Sequence, residues 1–175
     1  MAIHGKFEVN NADFSPLTLN GVGTFMAFSG DGDYRNRGGC TLIPDAGPIP
    51  AGIYWIVDRP TGGLKSMAYS ALKDLYNTAV KLNPSNHFEW FALYRDDGQI
   101  DDYTWVDGVR RGNFRLHPVG GSNLSLGCIT LQRKTDFTTL RNVLLNTQKI
   151  PINNSTKLMA YGSIEVITHG KTCDV

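Results

Sequence analysis

No apolar run in this chain approaches the roughly 20 residues that a membrane-spanning helix needs, which excludes a helical bilayer anchor. Long basic clusters are missing too. Arg110-Arg111 is the longest basic run, Asp101-Asp102 lies close by, and the net charge is +1. A nucleic-acid partner held by phosphate neutralisation is therefore not expected. The opening Met1-Ala-Ile-His-Gly-Lys-Phe-Glu-Val9 has no basic segment leading into an apolar one. The expectation is synthesis in the cytoplasm without a cleavable signal, which leaves room for export by a system that carries folded proteins. Metal ligands are thin: His87-x-Glu89 has no second compact pair, and Asp31-x-Asp33 lacks the correctly placed glycine and final glutamate of a calcium loop. Neither a metal nor a cofactor is expected. Cysteine is scarce, and the three present (Cys40, Cys128, Cys173) are an odd number, so they cannot all pair within the chain. One reading joins Cys40 to Cys173 and leaves Cys128 free; the other keeps three reduced thiols, and the sequence does not choose.

What the chain does have is turn formers. Nineteen glycines and eight prolines in 175 residues imply many tight turns and hence a β-rich domain. Ile3, Gly5, Phe7 and Val9 alternate with His4, Lys6 and Glu8, the period of a half-buried strand. Leu17–Leu19 and Val22–Phe28 flank Asn20-Gly21, a hairpin signal. Ser29–Gly39 reads as a solvated, glycine-rich loop. Gly47-Pro-Ile-Pro-Ala-Gly-Ile-Tyr54 reads as a rigid turn feeding a buried strand that runs to Val57. Phe88–Tyr94 forms a further strand. Tyr103–Val106 and Val109–Leu116, around Asp107-Gly108, predict a hairpin that delivers His117 at its end. Met159, Tyr161, Ile164 and Val166 form the closing strand, kinked at Gly162.

Two helices interrupt this pattern. Leu64, Met67, Ala71, Leu75 and Leu82 recur at helical spacing, and the region 59–112 around them is a possible capping insertion. Thr135 or Asp136 caps a second, shorter helix with Phe137, Leu140 and Leu144 on its apolar face. The expected fold is mainly β (β-rich α+β), a single domain over 1–175 with two helices.

Chemistry concentrates in Phe114–Leu131, where His117 and Cys128 bracket a loop of small and polar residues. A thiol is a weak nucleophile until a base or a positive environment ionises it, and an imidazole brought back by the loop supplies that base. Gly120 and Gly121 allow the chain to return. Gly127 leaves the amides beside Cys128 uncovered as donors for a developing oxyanion. Ser125 either orients the imidazole or closes the turn.

The pattern His117…Ser125-x-Gly127-Cys128-Ile129 resembles the signature of the L,D-transpeptidases of YkuD-like fold, a β-sandwich or barrel. With Gly47-Pro-Ile-Pro-Ala-Gly-Ile-Tyr54 it is most similar to the L,D-transpeptidase effectors of type VI secretion. The resemblance covers about residues 40–58 and 110–140. Many members carry a second histidine before Gly-Cys, where Leu126 stands, and Arg or Asn two residues after the cysteine, where Thr130 stands. The resemblance implies a catalytic set of Cys128, His117, Ser125 and Gly127. Arg115, Gly121, Ser122, Thr130 and Arg133 fall on the substrate side, with Arg111 a further arginine able to meet a substrate carboxylate. It also implies attack of Cys128 on the bond between meso-diaminopimelate and D-alanine in peptidoglycan tetrapeptide stems. The resulting thioester passes to water, to a free D-amino acid, or to another stem. Delivery by a type VI secretion component, action in the periplasm of a target bacterium and a cognate immunity protein follow from the same resemblance.

Two other readings compete. In an NlpC/P60- or papain-like amidase the nucleophile precedes the histidine, an order met by Cys40 and His117, although Thr41-Leu-Ile-Pro-Asp45 cannot carry a helix far. In a non-catalytic cell-wall binding module, Tyr54, Trp55, Trp90, Tyr94, Tyr103 and Trp105 would stack on sugars.

Overall fold

The alternation at the start of the chain becomes β1 (Ile3–Val9), with Ile3, Phe7 and Val9 buried. The computed structural model describes residues 1–59, 89–121, 125–152, 157–171 and 173. The helix expected over 64–82 and the candidate Ser122 lie outside the described residues. After β1 come β2 (Ser15–Leu19), β3 (Gly23–Phe28), β4 (Gly52–Asp58), β5 (Phe91–Arg95), β6 (Tyr103–Val106) and β7 (Val109–Gly112). Next are β8 (Arg115–Pro118), β9 (Ile129–Leu131), helix α1 (Lys134–Leu145), β10 (Ile150–Pro151) and β11 (Met159–Thr168).

The large sheet runs β1-β2-β3-β9-β8-β5-β4-β11-β10, and β1 pairs back onto β11 in parallel, Ile3 opposite Gly162 through Val9 opposite Thr168. This closes an eight-strand barrel with β10 on its rim, and the molecule is mainly β, as expected from its many glycines and prolines. Closure leaves those barrel strands without a free edge. Gly162 stands where β11 changes register, and a Cβ there would lie 1.6 Å from the Ile3 carbonyl oxygen, so only glycine lets β1 pair so closely. Phe7, Leu17, Ile56, Leu93, Leu116, Ile129 and Ile164 fill the interior. Among the described residues α1 is the only α-helix. Its Phe137, Leu140 and Leu144 join that core, as the spacing predicts. The cap differs: Arg133, not Thr135 or Asp136, is the N-cap residue, and no side chain caps the helix, while Asp136 sits in the first turn.

Two expectations change with the fold. Val109–Leu116 is not one strand, because Asn113 takes a left-handed conformation (φ +56°) that asparagine tolerates better than most residues. The break assigns β7 to a separate two-stranded sheet with β6, joined through Asp107 and Gly108 at positive φ, and sends β8 into the barrel. Within 59–112, β5 is a barrel strand between β8 and β4, so any cap drawn from this region excludes it. Nor is Ser29–Gly39 merely solvated. Buried Asn36 accepts from the Ser29 N–H at 2.9 Å and donates to the Ala12 carbonyl at 2.9 Å, and the Ser29 hydroxyl accepts from the Ile49 N–H at 2.8 Å. Those bonds bring the 29–50 loop down onto the barrel.

Cys40 and Cys173 are joined in a disulfide with Cα atoms 4.9 Å apart, and Cys128 is the free cysteine. The bridge spans 133 residues, and restraining so long a loop in the unfolded chain corresponds to about 4–5 kcal/mol in the chain-entropy account. We predict that Cys173→Ser lowers the melting temperature markedly in calorimetry without reductant. Adding reductant should lower the wild type to the same value. Equal melting temperatures for the oxidised wild type and the variant would remove this role.

Candidate active site

β8 and β9 pair in parallel, with Leu116 opposite Ile129, His117 opposite Thr130 and Pro118 opposite Leu131. Leu116, Ile129 and Leu131 point into the barrel core, so His117 and Thr130 share the opposite face. Carrying the alternation back one pair places Arg115 and Cys128 on that same face. His117 in β8 thus stands opposite Thr130, and Cys128 immediately precedes β9, two residues before Thr130. His117 lies within β8 rather than at the exit of a longer hairpin.

The imidazole is oriented on both nitrogens. Nδ1 lies 2.8 Å from the Pro118 carbonyl oxygen, which can only accept, so Nδ1 carries the proton. Nε2 is then the acceptor, and it takes a hydrogen bond from the Thr130 hydroxyl at 3.2 Å. Trp90 stacks on the ring with centroids 4.1 Å apart and planes inclined by 17°. Sequence reasoning placed Trp90 only among possible sugar platforms. Its role against His117 depends on β5 lying beside β8, with Ala92 opposite Arg115, a pairing no local pattern reveals.

Cys128 is only 8% exposed. Burial pushes its thiol up to about 11, opposed by the Arg115 backbone N–H at the sulfur and by the positive charges of Arg115 and Arg59. The thiol is therefore protonated at neutral pH, and its sulfur lies 3.8 Å from the Asn113 carbonyl oxygen. The loop before it is set by two contacts. The Ser125 hydroxyl donates to the Cys128 carbonyl at 2.9 Å, so Ser125 closes the turn rather than orienting the imidazole. Gly127 has φ +96°, and a Cβ there would meet Arg111 Nη2 at 2.9 Å and the Phe114 ring at 3.1 Å. No other residue type fits that turn without displacing its neighbours.

The substrate-side candidates separate. Arg115 is held by Asp102 at 2.5 Å and donates to the Phe114 carbonyl at 2.8 Å. Thr130 is wholly buried, with its hydroxyl 3.2 Å from the imidazole Nε2. Arg133 is exposed at the start of α1, and Gly121 is exposed. The arginine against the Cys128 loop is instead Arg111, buried and donating from Nη2 to the Gly47 carbonyl at 2.9 Å. Cys40, the nucleophile of the rival amidase reading, is bound to Cys173 and has no thiol to offer. Of the aromatic residues considered for sugar stacking, Tyr54 and Tyr94 are buried in the two hydrophobic clusters, and Trp105 and Tyr103 are exposed.

An imidazole held on both nitrogens, a buried thiol outside any disulfide and a glycine turn are the residue types needed for nucleophilic attack with general-base help. Among the described residues no group of metal ligands gathers, and no helix is long and apolar enough to cross a membrane. Comparison with curated proteins and with solved structures returns no match. The Tlde1 domain matches residues 23–155, which takes in β3 through β10, His117, Cys128 and the turn between them. A match over so much of the chain shows that it belongs to the Tlde1 domain family, type VI secretion effectors that act enzymatically on peptidoglycan.

Proposed function

We propose that the protein is an L,D-acyltransferase of peptidoglycan in which Cys128 is the nucleophile and His117 its base. The observation that supports this reading is the β8–β9 register, with His117 opposite Thr130, two residues after the thiol of Cys128. His117 Nε2 takes the thiol proton as the sulfur attacks the carbonyl joining the L-centre of diaminopimelate to D-alanine. The backbone amides around Gly127 and Cys128 stabilise the oxyanion. The carbon–nitrogen bond then breaks, the proton held on His117 goes to the departing amine, and a thioester remains on Cys128. Water releases a tripeptide, a free D-amino acid gives an exchanged stem, and the amine of another stem gives a 3-3 crosslink.

Trp90 and Thr130 position the base. The indole face lies against a ring that becomes cationic when it accepts the proton, an arrangement that attracts positive charge. Delivery into a target bacterium fits the disulfide, which persists in an oxidising compartment such as the periplasm. A cognate immunity protein occluding the Cys128 cleft completes the proposal.

Mass spectrometry of disaccharide-tetrapeptide incubated with protein tests the chemistry. We predict loss of one D-alanine with wild type, exchange when a free D-amino acid is added, and neither with Cys128→Ala. Cleavage at another bond in the stem would point to an amidase instead. The thiol makes a separate prediction. Because burial raises its pKa to about 11, alkylation of Cys128 by iodoacetamide should keep accelerating as pH rises past 9. A rate already at plateau near pH 7 would mean a preformed thiolate–imidazolium pair. Trp90→Leu should lower kcat by about tenfold or more, within the range general-base catalysis contributes, with KM little changed. A purely structural Trp90 would lower the melting temperature and leave kcat of the folded fraction intact.

A further inference from the structure

A cavity of about 260 Å³, just below the ~300–1,000 Å³ typical of drug-sized ligand sites, is lined by the β6–β7 hairpin together with Pro44, Asp45, Asn113 and Leu126. Two of its lining residues stand close to Cys128, one in space and one in sequence. One is Asn113, whose carbonyl is 3.8 Å from the Cys128 sulfur, and the other is Leu126, two residues before it. The β6–β7 hairpin supplies the cations. Arg111 is 3% exposed and uses Nη2 on the carbonyls of Gly47 (2.9 Å) and Pro48 (3.4 Å). Its Nη1 is buried and has no hydrogen-bond partner among the described residues. Native proteins rarely leave a buried charged N–H unpaired, and such a group is a ready donor for a ligand. Arg110 lines the same cavity from an exposed position, its guanidinium 4.0 Å from the centre of the Tyr103 ring. Among the described residues Asp45 is the one carboxylate in the lining against these two guanidiniums, so that lining is cationic.

We propose that this cavity is a carboxylate subsite in which Arg111 Nη1 and Arg110 hold the free α-carboxylate of the stem's C-terminal residue, setting the preceding carbonyl at Cys128. The assignment rests on the acyl-transfer reading above. By microscopic reversibility, an amino acid entering in exchange occupies the place of the one that left, so the same two arginines select free amino acids as acceptors. Arg111 thereby takes up a contact for which Arg115 is not available, since Asp102 holds that side chain.

The test uses three tetrapeptide stems: the free acid, the C-terminal D-alaninamide, and one amidated on the diaminopimelate side-chain carboxyl. Each is turned over by wild type, Arg111→Lys and the exposed Arg110→Gln. The expected result is a loss in kcat/KM of about tenfold to a hundredfold when the C-terminal carboxylate is amidated, the scale of a charged hydrogen bond. The arginine variants should lose comparably on the free acid and little more on the D-alaninamide. Variants that match wild type, or that lose equally on all three stems, would overturn the subsite. A variant defect that vanishes only on the side-chain amide would overturn it in favour of the diaminopimelate carboxylate. If wild type leaves every stem intact, the acyl-transfer reading falls, and calorimetric binding to Cys128→Ala protein decides the subsite separately. Tighter binding of free acid than D-alaninamide, lost on adding Arg110→Gln, supports it; equal binding overturns it.

Discussion

The parallel pairing of β8 with β9 is the constraint on which the site depends. Parallel strands cannot be joined by a tight turn, so the chain must leave β8 at Pro118, travel through 119–128 and re-enter beside its own start. That connection carries the glycine turn and the cysteine. Burying Leu116, Ile129 and Leu131 in the barrel then forces His117 and Thr130 onto the other face, because strand side chains alternate. A slip of one residue would turn the imidazole into the core and the leucine outward. The packing that stabilises the barrel is thus also what aims the imidazole.

The same economy appears on the other side of the thiol. Gly127 at positive φ makes room for Arg111, whose guanidinium reaches the carbonyls of Gly47 and Pro48 in the loop before β4. That loop is itself tied down by buried Asn36 and Ser29 and by the Cys40–Cys173 disulfide, with the Cys173 N–H donating to the Gly39 carbonyl at 2.9 Å. Three distant stretches of chain, 36–50, 110–115 and 125–128, therefore meet at one glycine. Each contact is short and buried, so displacement of one stretch is felt by the others.

Burial has two effects at the thiol. It holds Cys128 protonated at neutral pH, the state in which a buried sulfur is least exposed to adventitious oxidation. In the proposed acyl transfer, ionisation then depends on a partner that accepts the proton. The Arg115 backbone N–H at the sulfur and nearby guanidinium charge lower the cost of the thiolate once it forms. The imidazole, with Nδ1 bonded to the Pro118 carbonyl and Nε2 against the Thr130 hydroxyl, is the base assigned in that proposal.

The local chemistry of the chain was enough to foresee much of this. Period-two runs marked β1 and β11, Asp107-Gly108 marked the β6–β7 hairpin, and Phe137, Leu140 and Leu144 marked the buried face of α1, because each depends on neighbours a few residues away. The Gly127-Cys128 turn and His117 stood out for the same reason, being rare side chains beside a residue whose backbone freedom is readable from its type. What tertiary structure alone decided is which strands lie side by side. Barrel closure of β1 on β11, the stacking of Trp90 on His117, the disulfide over 133 residues and the burial of Arg111 beside Gly127 all join segments far apart in sequence. Such contacts arise from the packing of the whole interior, and no spacing along the chain encodes them one by one.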